Sequence, residues 1–491
     1  MDAVWLAFLP LLLTLALALF LRRTLLALGA GIVAGALLLS DFHPEATLDY
    51  LGRIALQQVY RNDQWQLWHL NVLVAMVLLG MMTQLFARGG AVVAFGDWLY
   101  RRIHTRRQAR LGVVLLGWLV FIDGIFSCLA VGHVCQPLAE RYRIRREQLA
   151  YFVDSNASPL CSLLPFSSWG PYLIALLAGI SFLPVTPLTA FMDMAQMNFY
   201  AIATLAISLF VAWSGVGFGA ALPEVDLRQH DDPGTPWLLL LPMLTLLIAS
   251  VLLTLWSGVE HSQQPGIMAW LAAADIGAAM RNAALLAVAV AIMLLARQGR
   301  PVRALALDLL HGVKTMGLAI GILLCTWMIG AVIRDLKVAS MLAGWADLYL
   351  SPHVLVGGMF LLCAMMAFAT GSSWGTFAIM IPIAAEVAAQ VDPALLLPTL
   401  SAVLAGSVFG DHCSPISDTS VLSATASGCE PRTHVLTQIP FALIAATATL
   451  VGFQLLNLGL GYIWCLLLVF AVAAGLLWLT QFHDRRQPEQ A

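Results

Sequence analysis

Polar residues are scarce along this chain. They gather in short joints between long, uninterrupted apolar runs, at 4–21, 24–40, 70–87, 111–137, 150–182, 198–220, 237–257, 282–297, 315–333, 352–390, 398–427, 434–457 and 461–480. Crossing a bilayer as a helix takes roughly 20 apolar residues. Only helices and closed barrels satisfy their own backbone there. The pattern therefore predicts an all-α polytopic membrane protein. Residues 41–69 read as the longest early loop and 221–236, with Glu224, Asp226, Asp231, Asp232 and Pro233, as a polar joint near the middle. Residues 187–197 and 258–281 fit either a loop or an interfacial helix.

Charge orients the runs. Cytoplasmic joints carry the arginines, which places Arg22, Arg23, Arg88, Arg101, Arg102, Arg106, Arg107, Arg110, Arg141, Arg143, Arg145 and Arg146 inside. Run 111–137 has arginines at both ends, so a single crossing would export one cluster. A re-entrant hairpin turning at Asp123-Gly124 removes the conflict. Run 352–390 is flanked instead by Asp347, His353, Glu386 and Asp392, with Thr370-Gly371-Ser372-Ser373-Trp374-Gly375 at its centre. It reads as a second hairpin, entering from the outside. After each hairpin comes a run too long for one straight span, 150–182 and 398–427, with Asp and Ser-Pro inside it: Asp154-Ser155-Asn156-Ala157-Ser158-Pro159 in one, Asp411 through Ser420 in the other. Proline removes a helical hydrogen bond, so each is expected to be a discontinuous helix. The architecture expected is about 11 transmembrane helices plus two re-entrant hairpins in an inverted repeat with two discontinuous helices, a common transporter build. The expected divisions are 1–69 (N-terminal spans and periplasmic loop), 70–220 (first repeat), 221–314 (linker and spans), 315–460 (second repeat) and 461–491 (last span and cytoplasmic tail).

Composition narrows the function. Of the 491 residues, 60% are hydrophobic and 11% charged, against about 25% charged in a soluble domain. The bases form no continuous face, which excludes a nucleic-acid partner; the lipid bilayer is the partner expected. The opening Met1-Asp2-Ala3-Val4-Trp5 lacks a basic n-region, so the first run is expected to be a retained span. The 8 cysteines form no C-x-x-C pair and read as buried small hydrophobes. No phosphate-binding glycine loop occurs, so energy must come from a gradient; no cofactor is expected. Gly371-Ser372-Ser373-Trp374-Gly375 fits the hydrolase elbow, but that motif needs a preceding strand, and apolar runs flank it here. Gly31-x-x-x-Gly35 and Gly317-x-x-x-Gly321 are spacings that let helices approach closely.

Intramembrane carboxylates cost about 2.5–3.5 kcal/mol each on insertion scales, so Asp123, Asp154, Asp411 and Asp418 need a reason. Hydroxyls, amides and glycines surround them, and oxygen-rich sites suit hard cations. A carboxylate that trades a proton for a cation is the minimal antiport device. Each acid also has a structural reading: Asp123 and Asp154 as helix caps, Asp411 and Asp418 as partners of backbone groups freed by a break. His412 reads as a hydrogen-bonded filler or a proton relay, and His133 as structural. Asp275 and Glu260 are expected in solvent, Asp308 and Lys314 at the interface.

The run Gly406-Ser407-Val408-Phe409-Gly410-Asp411-His412-Cys413-Ser414-Pro415-Ile416-Ser417-Asp418-Thr419-Ser420 resembles the signature of the NhaC family of sodium/proton antiporters. Leu149 through Ser155, and Pro165-Phe166-Ser167-Ser168-Trp169-Gly170, resemble that family's first-half motif; around Phe121-Ile122-Asp123, Gly124 stands where a second acid would fit the pattern. The resemblance implies a bacterial inner-membrane carrier with paired hairpins and an elevator-like moving domain. The expected ion or substrate site comprises Asp123, Asp154, Ser155, Asn156, Ser158, Gly371, Ser372, Ser373, Asp411, His412, Ser414, Ser417, Asp418 and Thr419. Asp411, Asp418 and Asp154 are the expected sodium ligands, and sodium ions and protons the transported species. The alternative cargo is a small organic acid or amino acid coupled to sodium, which the lack of an obvious intramembrane arginine disfavours. The reading leaves room for a homodimer.

Overall fold

The computed structural model describes residues 8–10, 12–14, 16–17, 24–61, 63–217, 236–262, 266, 270, 273–336, 351–415 and 417–484. Most of the first expected span with Arg22 and Arg23, the acids of the 221–236 joint, Lys337, Asp347 and Ile416 lie outside the described residues. The helices are α1 (Thr24–Leu39), α2 (Pro44–Gln57), α3 (Leu67–Gly89), α4 (Ala91–Tyr100), α5 (Arg106–Leu119), α6 (Gly124–Arg141), α7 (Arg146–Leu163), α8 (Trp169–Ala178), α9 (Pro187–Gln196), α10 (Phe199–Ser214), α11 (Trp237–His261), α12 (Ile276–Arg297), α13 (Val302–Asp335), α14 (Pro352–Thr370), α15 (Ser373–Val391), α16 (Leu396–Cys413), α17 (Asp418–Ala426), α18 (Pro431–Asn457) and α19 (Tyr462–Asp484). A two-residue antiparallel ribbon, β1 (Tyr60–Arg61) with β2 (Gln64–Trp65), follows α2. Among the described residues, nine helices are long and apolar enough to cross a membrane, or ten if α9 and α10, bent by 48°, form one span.

Both hairpins form where charge and glycine predicted them. Thr105 opens α5 with a reciprocal capping box to Gln108. Asp123 caps α6 at the first tip, and Ser372 caps α15 at the second. Gly371 takes a left-handed φ of 64° there, a conformation that glycine adopts without steric cost. The arms of the second hairpin are 19 residues each and count among the nine long helices; the first hairpin's arms are shorter, at 14 and 18.

Several expectations are corrected. Residues 41–69 are not a loop: α2 and the ribbon occupy them, and Tyr50 of α2 donates to Asp335 of α13. Most of the polar joint between the runs 282–297 and 315–333 is taken into α13, a 34-residue helix that starts at Val302. Asp308 is buried, held by Arg300 through Nε at 3.0 Å and Nη2 at 2.6 Å. Asp275 is not left to solvent alone, because it caps α12 by accepting from Ala278. The Asp154–Pro159 stretch does not break its helix. α7 runs through Pro159 to Leu163, and Ser162 Oγ takes up the Pro159 carbonyl at 2.7 Å. The break falls later, at 164–168. In the second half it falls at 414–417, within the expected motif.

Beyond each break a short helix, α8 or α17, continues for 10 or 9 residues, about 14 Å at 1.5 Å per residue. α17 runs beside α6, with Gly132 against Ala426. α8 runs beside α15, with Trp169 on Phe377 and Tyr172 on Trp374. Each short helix thus lies along the other half's hairpin, and both tips end inside the protein. A second bundle, α1, α3, α11, α12 and α13, packs alongside.

Close approach is concentrated where α14 meets α16. A Cβ on Gly406 would strike the Phe360 carbonyl, and one on Gly410 the Ala364 carbonyl and Phe368 amide. Of the two spacings singled out in the sequence, Gly31 and Gly35 face close neighbours, whereas Gly317 has open space. Gly410→Ala should therefore lower stability by about 1–3 kcal/mol through overpacking, read as a lower unfolding temperature in detergent. Gly317→Ala should leave that temperature unchanged or raise it, since the helix gains about 0.5–1 kcal/mol.

Candidate ion-binding site

The two tips and the two breaks meet at the centre of the molecule. Ser168, in the first break, donates its backbone N–H to the Ile122 carbonyl at 2.5 Å and its hydroxyl to Asp123 Oδ2 at 2.8 Å. Asp123 Oδ1 accepts from the Phe126 amide at 3.0 Å. The same carboxylate thus caps α6 and ties the first tip to the first break. The second half repeats the device with hydroxyls. Ser373 Oγ reaches Asp411 Oδ2 at 2.9 Å and the Ser407 carbonyl at 3.2 Å, while Ser414 Oγ donates to the Phe368 carbonyl at 2.8 Å. The halves are joined by Tyr172, whose hydroxyl donates to the Trp374 carbonyl at 2.9 Å, and by the edge-to-face Trp169–Trp374 pair.

Asp154 is the most heavily bonded carboxylate. It is fully buried, and its Oδ2 accepts from Gln438 Nε2 at 2.8 Å and Ser420 Oγ at 2.9 Å, with His434 Nε2 at 3.1 Å. Gln438 Nε2 also donates to the His412 carbonyl at 2.5 Å. His412 is itself held between Ser155 Oγ, 3.1 Å from Nε2, and the Tyr200 hydroxyl, 2.7 Å from Nδ1. Asp154 therefore binds α7 to α17 and α18 across the two halves.

The expected residues divide by what their side chains have left to offer. Asn156 is consumed: it accepts from Trp118 and donates to the Phe152 carbonyl and Ser208. Ser372 caps α15, and Ser417 and Thr419 hydroxyls lie 3.0 Å apart. Asp418 is exposed at the start of α17, accepting from the Thr419 amide at 2.9 Å. By contrast, Asp154 Oδ1, Asp411 Oδ1 and Ser158 Oγ are buried with no hydrogen-bond partner. Unpartnered buried acceptors are rare, and a carboxylate oxygen in that state can take a cation or a proton. Among the described residues no three His, Cys, Asp or Glu side chains converge on one metal position. Asp411 faces the second tip and Asp154 faces α18, so the two orphan oxygens belong to separate carboxylates in the same buried region.

Ser420, His434, Gln438, Tyr200 and Ser168 complete the site and were not among the expected residues. His434 and Gln438, four apart in α18, share one face; that spacing was the available signal. His133 is structural, its Nδ1 3.0 Å from the Ala426 carbonyl.

Two cavities flank the centre. One of 240 Å³ is lined by Thr83, Phe86, Val92, His133 and the buried Asp123. The other, of 450 Å³, lies at the opposite end of α3 among Gln58, His69, Trp327, Arg334, Asp335 and Glu386. Gln438→Leu should strip donors from Asp154 and from the His412 carbonyl. It is expected to cost about 1–3 kcal/mol for buried groups left unsatisfied. Asp418→Asn, at an exposed position, should stay within about 0.5 kcal/mol of the parent. Thermal unfolding in detergent checks both.

Comparison with known proteins identifies the family. Residues 160–458 match the profile of the Na+/H+ antiporter family. An uncharacterized protein of Haemophilus influenzae is 36% identical, over 92% of this chain and 90% of its own. The malate-2H(+)/Na(+)-lactate antiporter of Bacillus subtilis is 27% identical, over 34% of this chain and 36% of its own. The solved structure of Neisseria gonorrhoeae MtrF, described as illuminating a class of antimetabolite efflux pumps, shares the fold at a TM-score of 0.60 and 17% identity, covering 87% of this chain and 86% of that one. The chain is a multi-pass membrane protein and a secondary transporter, not an enzyme, and it belongs to the Na+/H+ antiporter family.

Proposed function

We propose that this transporter exchanges sodium ions for protons across the bacterial inner membrane, with Asp411 and Asp154 as the carrying carboxylates. The observation that carries the reading is the pair of buried, unpartnered oxygens, Asp411 Oδ1 and Asp154 Oδ1, beside interrupted helices. Sodium and the proton are alternative ligands for such an oxygen, so loading one displaces the other. The C-terminal ends of α14 and α16 both close on the region of Ser373 and Asp411. Helix C-termini carry partial negative charge, which favours a cation there. Ser158, with its free hydroxyl oxygen, is the neutral ligand nearest in kind. Asp123, in the lining of the 240 Å³ cavity, is in this reading the step between the centre and the aqueous side next to the arginine-rich joints. In this reading residues 70–220 and 315–460 are the two repeats of the carrier, and the working unit is a homodimer.

A second reading is favoured by one feature. The 450 Å³ cavity holds Arg334 among its lining, a cation suited to a carboxylate, and its volume falls in the range of roughly 300–1,000 Å³ of small-molecule sites. A small organic acid coupled to sodium would enter there.

In proteoliposomes carrying an internal pH dye, external sodium should alkalinise the lumen. Asp411→Asn should reduce that rate at least tenfold, and Ser373→Ala should raise the half-saturating sodium concentration several-fold without abolishing transport. If sodium, lithium and potassium all leave the internal pH unchanged, with folded protein, cation/proton exchange is overturned and organic acids become the cargo to screen.

A further inference from the structure

The first two turns of α5 carry Arg106, Arg107 and Arg110, close enough together to repel one another. Only Arg110 is well used: it is buried, and its Nε donates to the Ala212 carbonyl at 2.7 Å at the end of α10. The guanidinium of Arg107 lies over the ring of Trp213. Arg106 Nε, Arg107 Nε and Arg107 Nη2 are buried atoms with no hydrogen-bond partner, and among the described residues no carboxylate pairs with either side chain. Partly desolvated cations without a counter-charge are costly. The N-terminal end of the α5 dipole adds positive potential at the same place. Everything about this corner calls for an anion that the described protein does not supply.

The neighbouring surface indicates what kind of molecule brings it. Immediately beyond the arginines, toward the middle of the membrane, the outer faces of α5 and α10 are apolar and uncovered: Leu115 is 54% exposed, Phe210 42% and Trp213 58%. Arg107, Leu111 and Leu115 are spaced by four and fall on one stripe of α5. A basic head position above an apolar stripe fits an amphiphile better than a free anion. The arginine side is the cytoplasmic one by the positive-inside rule, and basic pockets between helices on that side hold anionic head groups.

We infer that the α5–α10 corner is a binding site for one anionic phospholipid. Its phosphate is held by Arg106 and Arg107, and its acyl chains lie along Leu115, Phe210 and Trp213. Arginine offers a fork of N–H donors that matches phosphate oxygens two at a time, and the head group engages the guanidinium nitrogens of Arg106 and Arg107 that are not among the occluded atoms. Because α5 is the first arm of the hairpin that ends at Asp123, lipid occupancy fixes the outer end of that arm.

The full-length protein, purified in detergent and stripped of lipid, tests this. Phosphatidylglycerol should raise the unfolding temperature by several degrees, and phosphatidylcholine or inorganic phosphate should not. The R106Q/R107Q variant should lose most of that shift, whereas R102Q, at an exposed site whose guanidinium rests on Trp98, should keep it. Native mass spectrometry of the unmutated protein gives a second readout that survives a misfolded variant: phosphatidylglycerol should be retained at least tenfold over phosphatidylcholine. A shift reproduced by inorganic phosphate would make this a soluble-anion site and overturn the lipid. Equal retention of the two lipids, or an undiminished shift in a folded R106Q/R107Q, would overturn it as well.

Discussion

A backbone that stops being helical inside a bilayer must find its hydrogen bonds within the protein, because lipid offers none. The centre of this transporter is organised by that requirement. Two helices are interrupted and two hairpins turn inside the protein, and serines meet many of the freed groups, with Cys161, Tyr172 and Gln438 meeting others. Ser167 bonds the Cys161 and Leu164 carbonyls, Ser168 locks onto Ile122 and Asp123, and Ser414 covers the Phe368 carbonyl. Among the buried atoms of the region left without partners, which also include Ser127 Oγ, Ser423 Oγ, His434 Nδ1 and Gln438 Oε1, only those on Asp154 and Asp411 are carboxylate oxygens, the acceptors with most to gain from a transported cation.

The apolar walls make those few atoms count. With aromatic side chains closing the space between the tips, water has little access, and the attraction between a carboxylate and a bare cation is much stronger than it would be in water. The same dryness makes an unneutralised carboxylate expensive. A proton or a sodium ion relieves that cost equally in kind, which is the physical root of exchange. Asp123 and Asp154 differ in how far they are already relieved. Asp123 has a donor on each oxygen, whereas all of Asp154's donors crowd onto Oδ2.

Much of the fold was legible because membranes write it in length and charge. The hairpin at 111–137 followed from arginines at both ends, and the break at 414–417 from a cluster of Ser, Pro and Asp in an apolar run. Other features carried no such mark. Pro159 looked like a break but is accommodated within α7, where a proline costs one helical bond, to the Ser155 carbonyl. α2 was hidden in a polar stretch because its apolar positions, such as Tyr50 and Ile54, lie a turn apart rather than in a run. In the candidate site, Asp411 and Ser373 belong to conspicuous motifs, but His434 and Gln438 do not. Their relevance comes from packing against a carboxylate 280 and 284 residues away, a relation no local pattern contains.

The exchange of short helices between the halves has a consequence for biosynthesis. α8 rests on a hairpin that has not yet been made when it leaves the ribosome, and Asp154 is translated 280 residues before His434. Chains emerge N-terminus first, so the first half must enter the membrane with its buried carboxylate unserved. Its polar centre has to wait, shielded by water, lipid head groups or the insertion machinery, until α17 and α18 arrive. The last third of the chain therefore serves as the closing piece of the whole molecule. A nascent chain stalled before residue 431 would be a membrane protein of nearly full length with its centre still open.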